Sequence, residues 1–420
     1  MARRIPNSEI NLFQLIYILL KQYRENSGME PLNLSLGNPD GIPPEEILEL
    51  ESRFAKDPTY AYHTYSEDKN LLNFAEEMVF LHSGVEMRQN PHLEAFPIAG
   101  IKTTSALLLL ACGLGERRDL IYASNLPAYD IVGVWGEKYL KSRRMVWPLC
   151  GADNMRLNVR RLKEAVARLG HQRLELIFTV RPGNPASVGA SHQEWTELIS
   201  FCLERKIRLA NDGAYAGLAG EKHVPLASVA KDYPELEWVE MYSVSKSFSD
   251  PGARLGAIVG SRDFVRDYLM IKGNTDSGPV PFVMAAYGKF LQDPKNAREV
   301  LSRLRDLYRR RLEYVIPLFK KSGLIPACET EAGFFTLWKV PGSVLGVDLA
   351  REAKGRNSNL AEAFNRLVIS KTGLAGVHFL GQDENGDPEP LIRYAVCADV
   401  LNPLFKERFE AALETLRPRY

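Results

Sequence analysis

Between residues 95 and 265 the chain repeats one pattern, a short apolar run closed by turn residues and followed by a segment of helical period. The runs are "DLIYAS" (119–124), "RMVWPLC" (144–150), "LELIFTV" (174–180), "KIRLAND" (206–212), "WVEMYSV" (238–244) and "RLGAIVG" (254–260). Of the helical segments, "TTSALLLLACGL" (103–114) reads as buried. The segment 191–205 carries its own start signal: Ser191 and Glu194 form a capping box, and Trp195, Leu198, Ile199, Cys202 and Leu203 share one face. Strand–helix alternation of this kind predicts an α/β domain with a mostly parallel sheet. Such sheets bind ligands at the carboxyl ends of their strands, so the loops after these runs are where a site is expected.

The pattern changes after residue 295. A long charged helix is predicted over 296–321, with Val300, Leu304, Leu307, Leu312, Val315 and Phe319 apolar and Gly323 as its C-cap. Beyond it, strands such as "GFFTLWKV" and "LIRYAVCA" mix with helices, which predicts a smaller α+β domain. We therefore expect three parts: an N-terminal arm with part of the small domain (1–45), a large α/β domain (46–295) and a small α+β domain (296–420). A length of 420 residues accommodates that division.

Lys and Arg total 53 against 52 Asp and Glu, a net charge of +1 that provides no attraction for nucleic acid or an anionic membrane. The densest basic run, Arg309 to Arg311, reads as a solvated helix face. Five cysteines lie far apart, without CxxC or a histidine at zinc spacing, so reduced thiols, a cytoplasmic setting and no metal site are expected. Arg3 and Arg4 precede "NLFQLIYILL", but Asn11 and Gln14 interrupt that run and Lys21 closes it. An amphipathic helix with Phe13, Ile16, Tyr17 and Leu20 on one face is predicted rather than a signal peptide. No stretch reaches the roughly 18 apolar residues of a membrane span.

Read in order, the strand ends collect a particular chemistry. Asn184 follows the third run, Asp212 ends the fourth with Tyr215 close behind, and the fifth leads into "SVSKSFSDPGARLG" (243–256). "FPIAGIKTT" puts Gly100, Ile101 and Lys102 at the start of the apolar helix. Singly these are ordinary turn residues. Together they match the needs of pyridoxal 5′-phosphate: a lysine for a Schiff base, a carboxylate for the pyridine nitrogen, and donors for the phenolic oxygen. The phosphate needs helix-start amides, hydroxyls and an arginine.

The chain resembles the fold-type I enzymes of the class I/II aminotransferase family, the aspartate aminotransferase-like group. "SVSKSFSDPGARLG" is similar to that family's S-x-S-K-x-x-x-x-x-G-x-R-x-G motif, with "NP" (184–185) and "D-x-x-Y" (212–215) in the family's order. The likeness extends to "LSLGNPDGIPP" (34–44), "YHTYSEDKNLLNFA" (62–75), "EAGFFTLW" (331–338) and "LIRYAV" (391–396). It implies a mostly parallel, seven-stranded-type sheet flanked by helices and a homodimer with shared active sites, Tyr62 or Tyr65 reaching the partner's phosphate. It implies that Lys246 carries the cofactor and moves the substrate's α-proton, that Asp212 pairs with the ring nitrogen, and that Asn184 and Tyr215 bond the phenolic oxygen. Ser243, Ser245 and Arg254, with Ile101 and Lys102, would hold the phosphate; Arg393 would clamp the substrate carboxylate beside Gly37.

Two departures accompany the resemblance. In "SNLPAYD" the ring-stacking position falls on Leu126 without a gap, or on Tyr129 through a shifted loop, and "NPASVG" replaces N-P-T-G. The implied activity is ping-pong transfer of an amino group between an amino acid and a 2-oxo acid. A C–S lyase, decarboxylase or synthase would use the same residue types, whereas a non-catalytic binding or regulatory module could lose Lys246 or Asp212 without penalty, and both are present. Loops near residues 37–44, 275–282 and 376–382 are expected to choose the substrate side chain.

Overall fold

In the computed structural model, which describes residues 12–420, every one of those apolar runs is a strand. In chain order the strands are β1 (Leu93–Ile98), β2 (Leu120–Leu126), β3 (Arg143–Pro148), β4 (Arg173–Val180), β5 (Arg208–Asp212), β6 (Trp238–Ser243) and β7 (Gly256–Ser261). Among the described residues they form one seven-stranded sheet, ordered β1-β7-β6-β5-β4-β2-β3. β7 runs antiparallel to both of its neighbours, and the other pairings are parallel.

The strands are apolar throughout because both faces of the sheet are covered. Leu176, Phe178 and Val180 of β4 pack on one side, against residues of the helices Ile101–Ala111 and Arg262–Lys272. Ile177 packs on the other, with Trp195, Leu198 and Ile199 of the helix His192–Arg205. That helix begins as its sequence dictates: Ser191 accepts from the Glu194 amide and the Glu194 carboxylate accepts from the Ser191 amide. Glu194 also takes the Leu157 amide at 2.9 Å, so the cap ties a second segment.

The helix Pro294–Lys321 starts two residues before the predicted position, where the Asp293 carboxylate accepts from the Lys295 and Asn296 amides. Its first half supplies Ala297, Val300 and Leu301 to the core beneath the large sheet. Its second half supplies Tyr308, Leu312, Val315 and Phe319 to a separate core. There Phe319 stacks on Tyr394 at 4.5 Å, below an antiparallel sheet of Phe335–Lys339, Pro388–Ala395 and Val377–Gln382.

Two expectations are corrected. Arg309 and Arg310 are exposed, but Arg311 is buried, because it lies four residues before Val315 and three after Tyr308, on the apolar face of the helix. Carbonyls of Val396 and Cys397 and the Asp40 carboxylate meet it there. The N-terminal helix forms over Leu12–Ser27, yet it buries Ile16 and Tyr23, while Tyr17 is 70% exposed. Tyr23 lies seven residues after Ile16, two full turns, and so shares its face. Among the described residues no helix is long and apolar enough to cross a membrane.

Candidate active site

A cavity of about 240 Å³ opens at the carboxyl ends of β4, β5 and β6, as the alternation predicts. Local sequence aims the lysine into it. β6 ends at Ser243, whose hydroxyl accepts the Ser245 amide at 3.1 Å and starts the single helical turn Val244–Ser247. From that turn Lys246 reaches the cavity, and its Nζ donates to the Gly37 carbonyl at 2.7 Å. Burial pulls the ammonium pKa down to about 8; Arg393 and Arg254 pull the same way and Asp212 opposes them.

Asp212, the last residue of β5, has the opposite problem. Burial raises its carboxyl to about 6, against the stabilising effects of the Ala214 amide, which it accepts at 2.9 Å, and of Lys246. Asn184 donates to the Tyr215 hydroxyl at 3.4 Å and accepts from the Arg393 guanidinium at 2.7 Å. Burial pushes the Tyr215 hydroxyl far up, so it keeps its proton at neutral pH.

Arg393 also donates to the Ser35 carbonyl at 2.6 Å and lies 4.0 Å over the Phe335 ring. Its pKa, lowered by burial to about 10, leaves it charged at neutral pH. Its Nε has no partner among the described residues, so the fork is incompletely used. On the opposite wall Gly100 precedes the helix Ile101–Ala111 with φ +101°, and a Cβ there would lie 2.6 Å from an Arg254 terminal nitrogen.

One cavity therefore gathers Gly37, Ile101, Lys102, Tyr129, Asn184, Asp212, Tyr215, Ser243, Ser245, Lys246, Arg254 and Arg393. Leu126 does not line it; it ends β2, where its carbonyl accepts the Leu149 amide, and Tyr129 is the residue of the two that faces the cavity. Tyr62 and Tyr65 do not line it either. Tyr62 packs edge-on against Phe54 at 4.9 Å and Tyr65 is 74% exposed. Gly100, which the sequence set at the helix start, lines the cavity as well, while Phe13, Ile131 and Val132 are wall residues that sequence reasoning missed. It also missed Ser35, which acts through its carbonyl and so leaves no side-chain signal.

The donor set fits pyridoxal phosphate. An amine, a carboxylate and a protonated tyrosine sit in one cavity, and a helix start with a glycine faces an arginine across a space that a Cβ would fill.

A lysine at the carboxyl edge of a seven-stranded α/β sheet, facing an arginine from a second, smaller sheet, is an arrangement of the aspartate-aminotransferase-like fold. Residues 30–372 match the family described as aminotransferase class I and II, and the chain belongs to that family. It is an aminotransferase, of a family whose chemistry depends on pyridoxal phosphate. The LL-diaminopimelate aminotransferase of Syntrophobacter fumaroxidans is 26% identical over 402 residues, covering 95% of this chain and 93% of that one. That of Natranaerobius thermophilus is 23% identical over 417 residues, covering 99% and 98%. Among solved structures, an aromatic aminotransferase from Pyrococcus horikoshii OT3 superposes with TM-score 0.74 at 19% identity, covering 94% of this chain and 97% of that one. A Thermus thermophilus aspartate aminotransferase double mutant gives 0.74 at 16% identity, with 99% and 98% covered. At such identities the structural likeness speaks to the fold.

Proposed function

We propose that this enzyme holds pyridoxal phosphate on Lys246 and moves an amino group from an amino acid to a 2-oxo acid in two half-reactions at one site. The donor's oxo product leaves before the acceptor enters, which makes the kinetics ping-pong. When bound, the cofactor supplies an aldehyde that condenses with amines and a ring that draws electrons from the attached carbon.

The protein's own residues do the rest. Lys246, with its amine drawn down toward neutrality, takes a proton from the substrate's Cα and returns it. Asp212 holds a proton at the ring nitrogen, where a cationic partner relieves its own poorly solvated charge. Asn184 and the protonated Tyr215 donate to the phenolic oxygen. Ser243, Ser245 and Arg254, with the helix start at Ile101 and Lys102, take the phosphate. Tyr129, which lines the cavity where Leu126 does not, would take the place against the ring. Arg393 takes the substrate carboxylate in its fork, its plane set by Phe335.

Several finer readings accompany this one. We propose a homodimer to which Tyr62 or Tyr65 contributes across the interface, and a cytoplasmic setting, which five unpaired buried thiols support. We propose the division into an arm (1–45), a large domain (46–295) and a small domain (296–420); the two cores joined by the long helix support two domains, with the first half of that helix packed on the large one. The curated relatives act, by name, on LL-diaminopimelate, and that amino acid belongs first in a donor screen.

The observation that carries the reading is Lys246 in the same buried cavity as Asp212. Borohydride reduction followed by peptide mapping tests it: the pyridoxyl tag belongs on Lys246, and Lys246→Ala loses it together with at least about a thousandfold in turnover. A tag elsewhere sinks the assignment. One equivalent of 2-oxo acid released per site by a donor alone marks transamination; continuous release of ammonia would mark a lyase.

A further inference from the structure

Residues 34–40 run past the cavity as a strap tied at four points. The Leu34 carbonyl accepts the Ala395 amide at 2.7 Å, the Ser35 carbonyl accepts from Arg393, and the Gly37 carbonyl accepts from Lys246. The fourth tie lies outside the residues given chemical roles above. At Asp40 the amide donates to the Tyr308 hydroxyl at 3.0 Å, and the carboxylate takes the Arg311 guanidinium at 2.5 Å.

Tyr308 and Arg311 sit three residues apart on one face of the long helix. Arg311 does more than hold Asp40. Its other terminal nitrogen donates to the carbonyls of Val396 and Cys397, at 3.2 and 3.0 Å, in the segment that continues directly from Arg393. One guanidinium thus joins the end of the strap that carries Gly37 to the end of the strand that carries Arg393. A charge only 3% exposed in an apolar helix face is expensive, and packing alone would be served by an aliphatic residue there. What an aliphatic residue cannot supply is the three-way tie.

We propose that Arg311 and Tyr308 are positioning residues that set the spacing between Gly37 and Arg393, and so the fit of the substrate's carboxylate. The inference rests on the reading that Arg393 takes that carboxylate. Loosening the tie weakens a contact made equally in ground state and transition state, so KM changes and kcat does not.

The test uses the full-length holoenzyme with an amino acid donor identified by screening. Arg311→Met, Asp40→Ala and Tyr308→Phe are each expected to raise the donor KM about tenfold and leave kcat within about twofold. The Arg311→Met/Asp40→Ala double variant is expected to go no further than Arg311→Met alone, and Arg311→Lys to recover part of the loss. If Arg311→Met does not fold, the other two carry the test. The Asp40 side chain is 40% exposed, and Tyr308→Phe keeps its ring against Phe334 at 4.9 Å. A lower melting temperature with unchanged KM would make the tie purely structural and overturn the proposal. So would a loss confined to kcat, or additive effects in the double variant. Failure of the underlying reading shows separately, as an Arg393→Lys variant that loses no more kcat/KM with an amino acid than with a simple amine.

Discussion

Asp212→Asn should stabilise the cofactor-free protein while crippling the enzyme. In the folded chain the Asp212 carboxyl titrates near 6 rather than near 3.8, because burial penalises the anion more than the Ala214 amide and Lys246 repay it. Below pH about 4 the carboxyl is protonated whether the chain is folded or not, and it contributes its full share of stability. As pH rises from about 4 to about 6 the unfolded chain ionises while the folded chain resists a poorly solvated charge, so that share is lost across this window and is gone above the folded pKa. At about 1.36 kcal/mol per pKa unit the loss approaches 3 kcal/mol, and because Asp212 is only part-buried, about 1 to 3 kcal/mol is the expected range. Asparagine keeps the acceptor for the Ala214 amide and has no charge to lose. Urea unfolding of cofactor-free protein from pH about 3.5 to 8 reads the difference. The variant should gain on the wild type as pH rises and converge with it at the acid end. In the holoenzyme the same change should lower kcat/KM at least about a hundredfold, since the ring nitrogen loses its anion. A stability difference that is flat with pH, or of opposite sign, would refute the account of why Asp212 is perturbed.

Other walls of the cavity make separate predictions. Gly100→Ala puts a Cβ 2.6 Å from an Arg254 nitrogen at a φ of +101°, and is expected to weaken pyridoxal phosphate affinity roughly ten- to a hundredfold in an absorbance titration; unchanged affinity would remove this turn from the phosphate site. Arg393→Lys keeps the charge but not the fork that reaches both Asn184 and Ser35. It should lower kcat/KM for amino acids about ten- to a hundredfold and leave the reaction with a simple amine unchanged, a contrast that disappears if Arg393 only braces the fold.

The amino-acid order alone determined the strands, because each had to be short, apolar on both faces and closed by a turn, and β4, β5 and β6 stand where those signals lie. It also determined which side chains could do chemistry at their ends, since Asn184, Asp212 and Lys246 each follow or finish such a run. Tyr129 and Leu126 could not be separated in that way, because the choice depends on how a loop turns after β2, and only the folded chain turns Tyr129 inward. Arg311 was misread for a related reason. A basic residue among basic residues signals solvent, and its burial depends on carbonyls some 85 residues further along the chain. The tertiary structure alone brought in the Ser35 carbonyl, an oxygen that every residue possesses and no sequence pattern advertises, and decided that the Gly37 carbonyl meets Lys246. Side-chain chemistry is written locally. The distances at which it acts arise only when strap, strand end and long helix pack together.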